Sequence, residues 1–307
     1  MVTTKITGER IMKGLALGLV LGAQVTVSTV HAAGDAFSTL RTAVQQDRKQ
    51  NEEAFLRLES LRMKVEAGAP PWERRSGVTR QIRALGPSAV MPALALLSYD
   101  EEKLAKMTDM GRVMFTVGLL ELLRQVKDPR GAQVLRHVME KTGQHAMITQ
   151  TAAEALGALC RGEDVGYLAG HVRAGGALLK PALMGLGYCR SGASADVLLG
   201  QLTASNDEVR ATAADALGWL GSRWAWEAKG PAAQAEGDAL RARITEALVP
   251  AYLGSSKETR VRFRRAILMV DHPAATTMLT GVTLTDAPAQ HDVEKLRSAL
   301  RRSEARH

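Results

Sequence analysis

The chain has 307 residues, 46% hydrophobic and 23% charged, with a net charge of +8. That balance excludes a disordered or fibrous chain and supplies enough apolar side chains for a sizeable core. Aromatics make up only 4% and there are 10 prolines, so Ala, Leu, Val and Met must build the core, and helices are favoured over strands.

Lys5, Arg10 and Lys13 form a basic start, and an apolar stretch runs from Gly14 to about Val30. Val30-His31-Ala32-Ala33 then places small residues where a signal peptidase needs them. This pattern predicts a secretory signal over residues 1–32, cut after Ala32. Gly, Gln, Ser and Thr dilute the stretch, which disfavours an uncleaved membrane span. Neither Cys lies near the cut, so a lipid anchor is not indicated. The expectation is an exported chain, periplasmic in a Gram-negative source. Cleavage would lower the net charge from +8 to +6, because the signal carries three positive residues and one negative. Residues 241–307 hold 12 Lys/Arg against 7 Asp/Glu. That basic end suits an anionic partner, or is plain solvated charge.

Residues 33–73 read as a helical cap. One helix is expected over 35–66, with Phe37, Leu40, Val44, Phe55, Leu58, Leu61 and Val65 among its apolar positions. A polar run from Gln45 to Glu53 interrupts it, and Gly68-Ala69-Pro70-Pro71 ends it.

A repeat array follows over 74–307. Ala152-Ala153-Glu154-Ala155-Leu156-Gly157-Ala158-Leu159 matches Ala213-Ala214-Asp215-Ala216-Leu217-Gly218-Trp219-Leu220, and Leu186-Gly187-Tyr188-Cys189 fits the same frame between them. The marker residues Leu156, Leu186 and Leu217 are 30 and 31 residues apart. Twelve residues after a marker comes a second apolar anchor: Leu85 with Leu97, Leu123 with Leu135, Leu156 with Leu168, Leu186 with Leu198, Ile267 with Leu279. Turn material such as Gly86-Pro87, Ser191-Gly192 and Asp271-His272-Pro273 lies between the members of each pair. Each unit is therefore expected to be a helical hairpin that buries its apolar face only by stacking on its neighbours. Small residues such as Ala153, Gly157, Ala214 and Gly218 would let those helices approach closely. Residues 290–306 read as a last, strongly charged helix.

Asp207-Glu208-Val209-Arg210, followed by the Ala213–Leu220 segment, resembles the HEAT repeat, of the short type also found in phycobilisome lyases. Ala84-Leu85-Gly86-Pro87-Ser88-Ala89-Val90 is similar to another common segment of that repeat. The resemblance covers roughly 74–282 and implies an all-α, right-handed α-α superhelix, a HEAT-like solenoid. It also implies that Asp207, Arg210 and Arg260 belong to a stabilising ladder between neighbouring repeats.

One unit breaks the rule. Lys229 stands twelve residues after Leu217, and the apolar partner reappears only at Leu248. An insertion at about 222–240 is expected, containing Ser222-Arg223-Trp224-Ala225-Trp226 and a Gly/Ala/Pro stretch to Gly237. Trp224 and Trp226 either anchor a partner, or extend the helix or fold back onto the array.

Cys160 and Cys189, 29 residues apart, are a candidate disulfide on adjacent helices. Helix axes usually sit about 8–10 Å apart, which tips the reading toward two buried thiols. The histidines beyond the signal show no metal-ligand spacing, and no His-Glu dipeptide occurs, which argues against the metal-binding HEAT hydroxylases. Gly185-Leu186-Gly187 has Arg190 where a dinucleotide loop needs its third glycine. No phosphate loop or serine elbow is present, and no carboxylate pair is singled out as acid and base. No catalytic residue, metal site or cofactor is expected. Arg260, Arg262, Arg264 and Arg265 form a basic cluster: Arg260 and Arg264 share one helix face, Arg262 and Arg265 another. The reading that results is an exported, non-enzymatic scaffold that binds an envelope protein, an acidic one being the best fit to the basic end, through the Trp insertion and the arginine cluster. A lyase-like enzyme or chaperone would need a convergent polar cluster on the concave face, and a nucleic-acid binder would need the signal to be false.

Overall fold

The computed structural model of the protein describes residues 28–67, 71–229 and 231–305. Residues 1–27, most of the expected signal, lie outside them. The described residues form an all-α solenoid with no strand.

Helices α1 (Ser28–Gln50) and α2 (Glu52–Glu66) come first. They replace the single helix expected over 35–66. The break falls at Asn51, with φ −126° and ψ 34°, whose side-chain amide donates to Asp47 Oδ1 at 2.9 Å. The polar run there lacks the apolar periodicity that would carry one straight helix through. The chain turns at the break, and α1 then covers the first hairpin, burying Leu40 and Val44.

The hairpins follow in register. They are α3 (Pro71–Ala84) with α4 (Val90–Ser98), then, after the short α5 (Glu101–Ala105), α6 (Asp109–Val126) with α7 (Ala132–Glu140). Next come α8 (Ala146–Leu159) with α9 (Gly162–Ala174), and α10 (Leu179–Leu186) with α11 (Gly192–Gly200). The fifth is α12 (Asp207–Leu220), an inserted α13 (Arg223–Glu227), and α14 (Pro231–Leu253). Helices α15 (Lys257–Val270) and α16 (Ala274–Leu279) make the sixth, and α17 (Ala287–Glu304) closes the array. The first helices α3, α6, α8, α10, α12 and α15 stack in sequence, while α4 meets α7, α9 meets α11, and α11, α14 and α16 continue the other layer. The core runs between the layers. The paired anchors at 97, 123, 135, 156, 168, 186, 198, 267 and 279 are all buried, as are Leu217 and Leu248; Leu85 is half-buried.

The first-helix layer is held at backbone contact. A Cβ on Gly157 would lie 1.8 Å from the Gly185 carbonyl oxygen, and one on Gly185 would lie 2.5 Å from that of Ala153. A Cβ on Gly218 would come within 2.9 Å of Ala266 Cα. This close approach corrects the thiol reading. Cys160 ends α8 in the left-handed region and Cys189 follows α10, and they form a disulfide with a Cα–Cα distance of 4.7 Å. The usual helix separation does not apply where two glycines face each other. The crosslink closes a loop of 29 residues, and loop entropy predicts a stabilisation of about 3.5 kcal/mol. A urea titration with and without reductant is expected to show that loss in wild type. The Cys160→Ser/Cys189→Ser double variant should start from the lower value and ignore the reductant.

The insertion is helical rather than a loop. Pro231 stands at the first position of α14, where its missing N–H costs nothing, and the Ala-rich stretch after it is a good helix former.

Candidate functional site

The repeat frame places a buried acid at matching positions of two first helices, Glu154 in α8 and Asp215 in α12. Glu154 accepts from Arg124 Nη1 of α6 at 3.0 Å and from Gln150 at 2.8 Å. Burial is the largest influence on its carboxyl and holds it above the usual carboxylate range. Arg124 also covers the Tyr188 ring at 4.7 Å, and Tyr188 stacks on Trp219 at 5.8 Å. These contacts tie four successive repeats together.

Asp215 takes up half of the expected arginine cluster. Arg262 Nε donates to Asp215 Oδ2 at 2.6 Å, while its other nitrogens reach Glu208 Oε1 at 2.8 Å and Thr212 Oγ1 at 3.0 Å. Arg265 donates to Asp215 Oδ1. Arg260 donates to the Ser255 carbonyl at 3.0 Å and lies 3.5 Å from Asp292 of α17. Arg210 donates to Asp207 within its own helix and to the Ala204 carbonyl at 2.8 Å. So Arg260, Arg262 and Arg265, expected as part of a contact set for a partner, all have internal acceptors in the last repeats. The main link between neighbours is Asp215, a residue the HEAT resemblance did not single out.

Arg264 differs. With His291, Lys295 and Arg302 it lines a groove of about 570 Å³ between α15 and α17. Among the described residues no hydrogen bond or ion pair joins any of these four side chains to a carboxylate. Glu294, the one acid in the lining, accepts from Gln290 at 2.9 Å. Nearby, the buried Tyr252 hydroxyl has no hydrogen-bond partner; burial pushes its phenol up to about 12, so it stays neutral. The sequence reading missed His291, Lys295 and Arg302. Their spacing of four and seven residues is the signal, because it puts three bases on one face of a helix.

The two insertion tryptophans part company. Trp224 is 79% exposed, whereas Trp226 is 2% exposed. The Trp226 indole N–H donates to the Leu220 carbonyl at 2.9 Å, the Lys229 ammonium lies 4.5 Å from its ring centroid, and Gly237 of α14 packs on its face. Trp226, expected with Trp224 as a partner contact, is thus an internal anchor of the insertion. Beside it, a cleft of about 630 Å³ opens toward the α15–α16 turn and the end of α17. Its charges are already engaged: Arg241 donates to the Val270 and Asp271 carbonyls at 2.8 and 2.6 Å, and Arg223 donates to Glu227 at 2.6 Å. His272 accepts from the Ala274 N–H at 3.2 Å and turns Nε2 toward Asp238, 3.6 Å away. The cleft serves to dock the insertion on the last repeats. Among the described residues no group of three or more His, Cys, Asp or Glu could hold a metal ion, and no helix is long and apolar enough to cross a membrane.

No family model matches the chain, and no curated protein does. Among solved structures, human deoxyhypusine hydroxylase in complex with glycerol aligns at 18% identity and a TM-score of 0.35, covering 82% of this chain and 98% of that one. An engineered protein aligns at 18% identity and a TM-score of 0.36, covering 82% and 97%. At these scores neither likeness specifies an activity for this chain.

Proposed function

We propose that the protein is an exported, non-enzymatic scaffold, a HEAT-like right-handed superhelix whose C-terminal repeats bind an acidic protein of the cell envelope. The observation that carries this reading is the α15–α17 groove, where Arg264, Lys295 and Arg302 gather around a single acid, Glu294, and none of them is bonded to a carboxylate among the described residues. Opposed charge there would speed encounter and select the partner. The exposed Trp224 adds an apolar anchor on the neighbouring insertion. The Cys160–Cys189 disulfide supports export, since such bonds persist in oxidising compartments.

Affinity capture from intact cells tests the reading. The wild-type chain should retain one acidic envelope protein, and Arg264→Glu/Arg302→Glu should weaken that retention by about tenfold or more. Trp224→Ala should weaken it without changing stability by more than about 0.5 kcal/mol. Retention of nucleic acid instead of protein would contradict the proposal.

A further inference from the structure

Among the described residues four arginines lie over an aromatic ring. Two of them also hold a carboxylate. Arg124, over Tyr188, donates to Glu154, and Arg136, over Tyr167, donates to Asp164 at 2.6 Å. The other two have only the ring. The Arg41 guanidinium carbon lies 4.7 Å from the Tyr99 ring centroid, and that of Arg48 lies 4.6 Å from the Phe55 centroid. Neither is bonded to a carboxylate among the described residues. They are seven residues apart and so share one face of α1. Both are exposed, so the rings rather than burial fix them. Stacking engages the flat face of a guanidinium and leaves the N–H donors on its edge free.

Both arginines line one cleft, which has two parts. The basic part, about 850 Å³, lies between α1 and the α4–α5 turn and also takes in Lys49. Its acids are outnumbered: Asp100 is held by Lys103 at 2.7 Å, which leaves Glu52 against Arg41, Arg48 and Lys49. The apolar part, about 310 Å³, lies between α2 and α4 over Phe55, Leu58, Pro92 and Leu96, all buried. Glu59, at its edge, is bonded to Arg62 at 2.7 Å. Leu56 lines this part too and is 62% exposed. The two parts share Arg48, Glu52, Asp100 and Lys103, so one runs into the other.

We propose that this cleft binds an anionic amphiphile, with an oxyanion head held by Arg41 and Arg48 and an alkyl chain laid between α2 and α4. The free edge of each guanidinium takes oxygens of a carboxylate or phosphate head. The chain is removed from water against Phe55, Leu56 and Leu96, which supplies affinity in proportion to its length. An acidic peptide fits less well, because its backbone would bring polar groups onto an apolar floor that cannot bond them. The cleft lies at the N-terminal end of the array and shares no residue with the α15–α17 groove.

The experiment is calorimetric titration of the full chain, at constant ionic strength and below micelle-forming concentrations, with decanoate, decyl phosphate, hexanoate, decanol and a Glu-rich peptide. One or both ten-carbon anions should bind at a single site. Hexanoate should bind about tenfold or more weakly than decanoate, because it buries four fewer methylenes. Decanol should also lose about tenfold, because it lacks the charge that the arginines recognise. Arg41→Gln/Arg48→Gln and Leu56→Asp change exposed residues and should unfold as wild type. Each should nevertheless weaken the anion about tenfold, the first through the head and the second through the chain. Arg264→Glu/Arg302→Glu should bind it as wild type does. A preference for decanoate identifies fatty-acid-like ligands, and one for decyl phosphate identifies lipid phosphates. Decanol binding as tightly as the anions, wild-type affinity in the Arg41/Arg48 variant, or no binding of either anion would overturn the proposal. So would tighter binding of the Glu-rich peptide, which would assign the cleft to an acidic protein.

Discussion

Gly157→Leu is expected to unfold the protein or to cost more than about 4 kcal/mol, among the largest effects a single substitution produces. Even a Cβ at this position would lie 1.8 Å from the Gly185 carbonyl oxygen. A flexible side chain could move aside, but a backbone oxygen within a packed helix layer cannot. The α8–α10 contact would have to open, and the Cys160–Cys189 crosslink prevents the helices from sliding apart to relieve it. Gly166 in α9 supplies the control. Nothing lies within 4 Å of a Cβ built there, so Gly166→Ala should stabilise by about 0.5–1 kcal/mol through helix propensity. Urea unfolding of the two variants gives opposite signs if the first-helix layer is packed backbone to backbone. Similar small effects at both sites would mean that it is not.

Trp226→Ala should cost about 3–5 kcal/mol. The ring is buried, its N–H satisfies the Leu220 carbonyl, and Gly237 has no side chain because the indole occupies that space. Its removal leaves a cavity under α13 and frees Lys229 from the ring. Trp224→Ala, two residues away and on the exposed side, should be nearly neutral for folding. Unfolding curves for both variants check the contrast; equal losses would contradict the division of labour between the two rings.

Much of the architecture was legible in the residues. The 12-residue pairing of apolar anchors located the hairpins, because burial on both helices of a hairpin must recur with the repeat. The insertion was legible as an interval, since Lys229 cannot fill an apolar anchor position. Its helical form was not, because Gly, Ala and Pro also compose loops, and only the docked Trp226 shows which applies. The break at Asn51 was hidden for a similar reason: a polar run marks lost periodicity without saying whether the chain bends.

The site was less legible. Four arginines in one segment look alike in sequence. What separates Arg264 from Arg262 and Arg265 is an acceptor about 50 residues away, Asp215, which reaches only the latter two. The disulfide depended in the same way on a Gly157–Gly185 contact between repeats. Spacing along one helix reports which side chains share a face; it does not report what the next helix offers them.

The most direct test of the scaffold reading is a photoreactive residue at Ser298, in the wall of the α15–α17 groove, activated in intact cells. The N-terminus of the mature chain is read from the same sample. The account predicts a chain beginning at Ala33, crosslinked to one acidic envelope protein, with the crosslink lost in Arg264→Glu/Arg302→Glu. A full-length cytosolic chain, or a crosslink indifferent to that charge reversal, would contradict it.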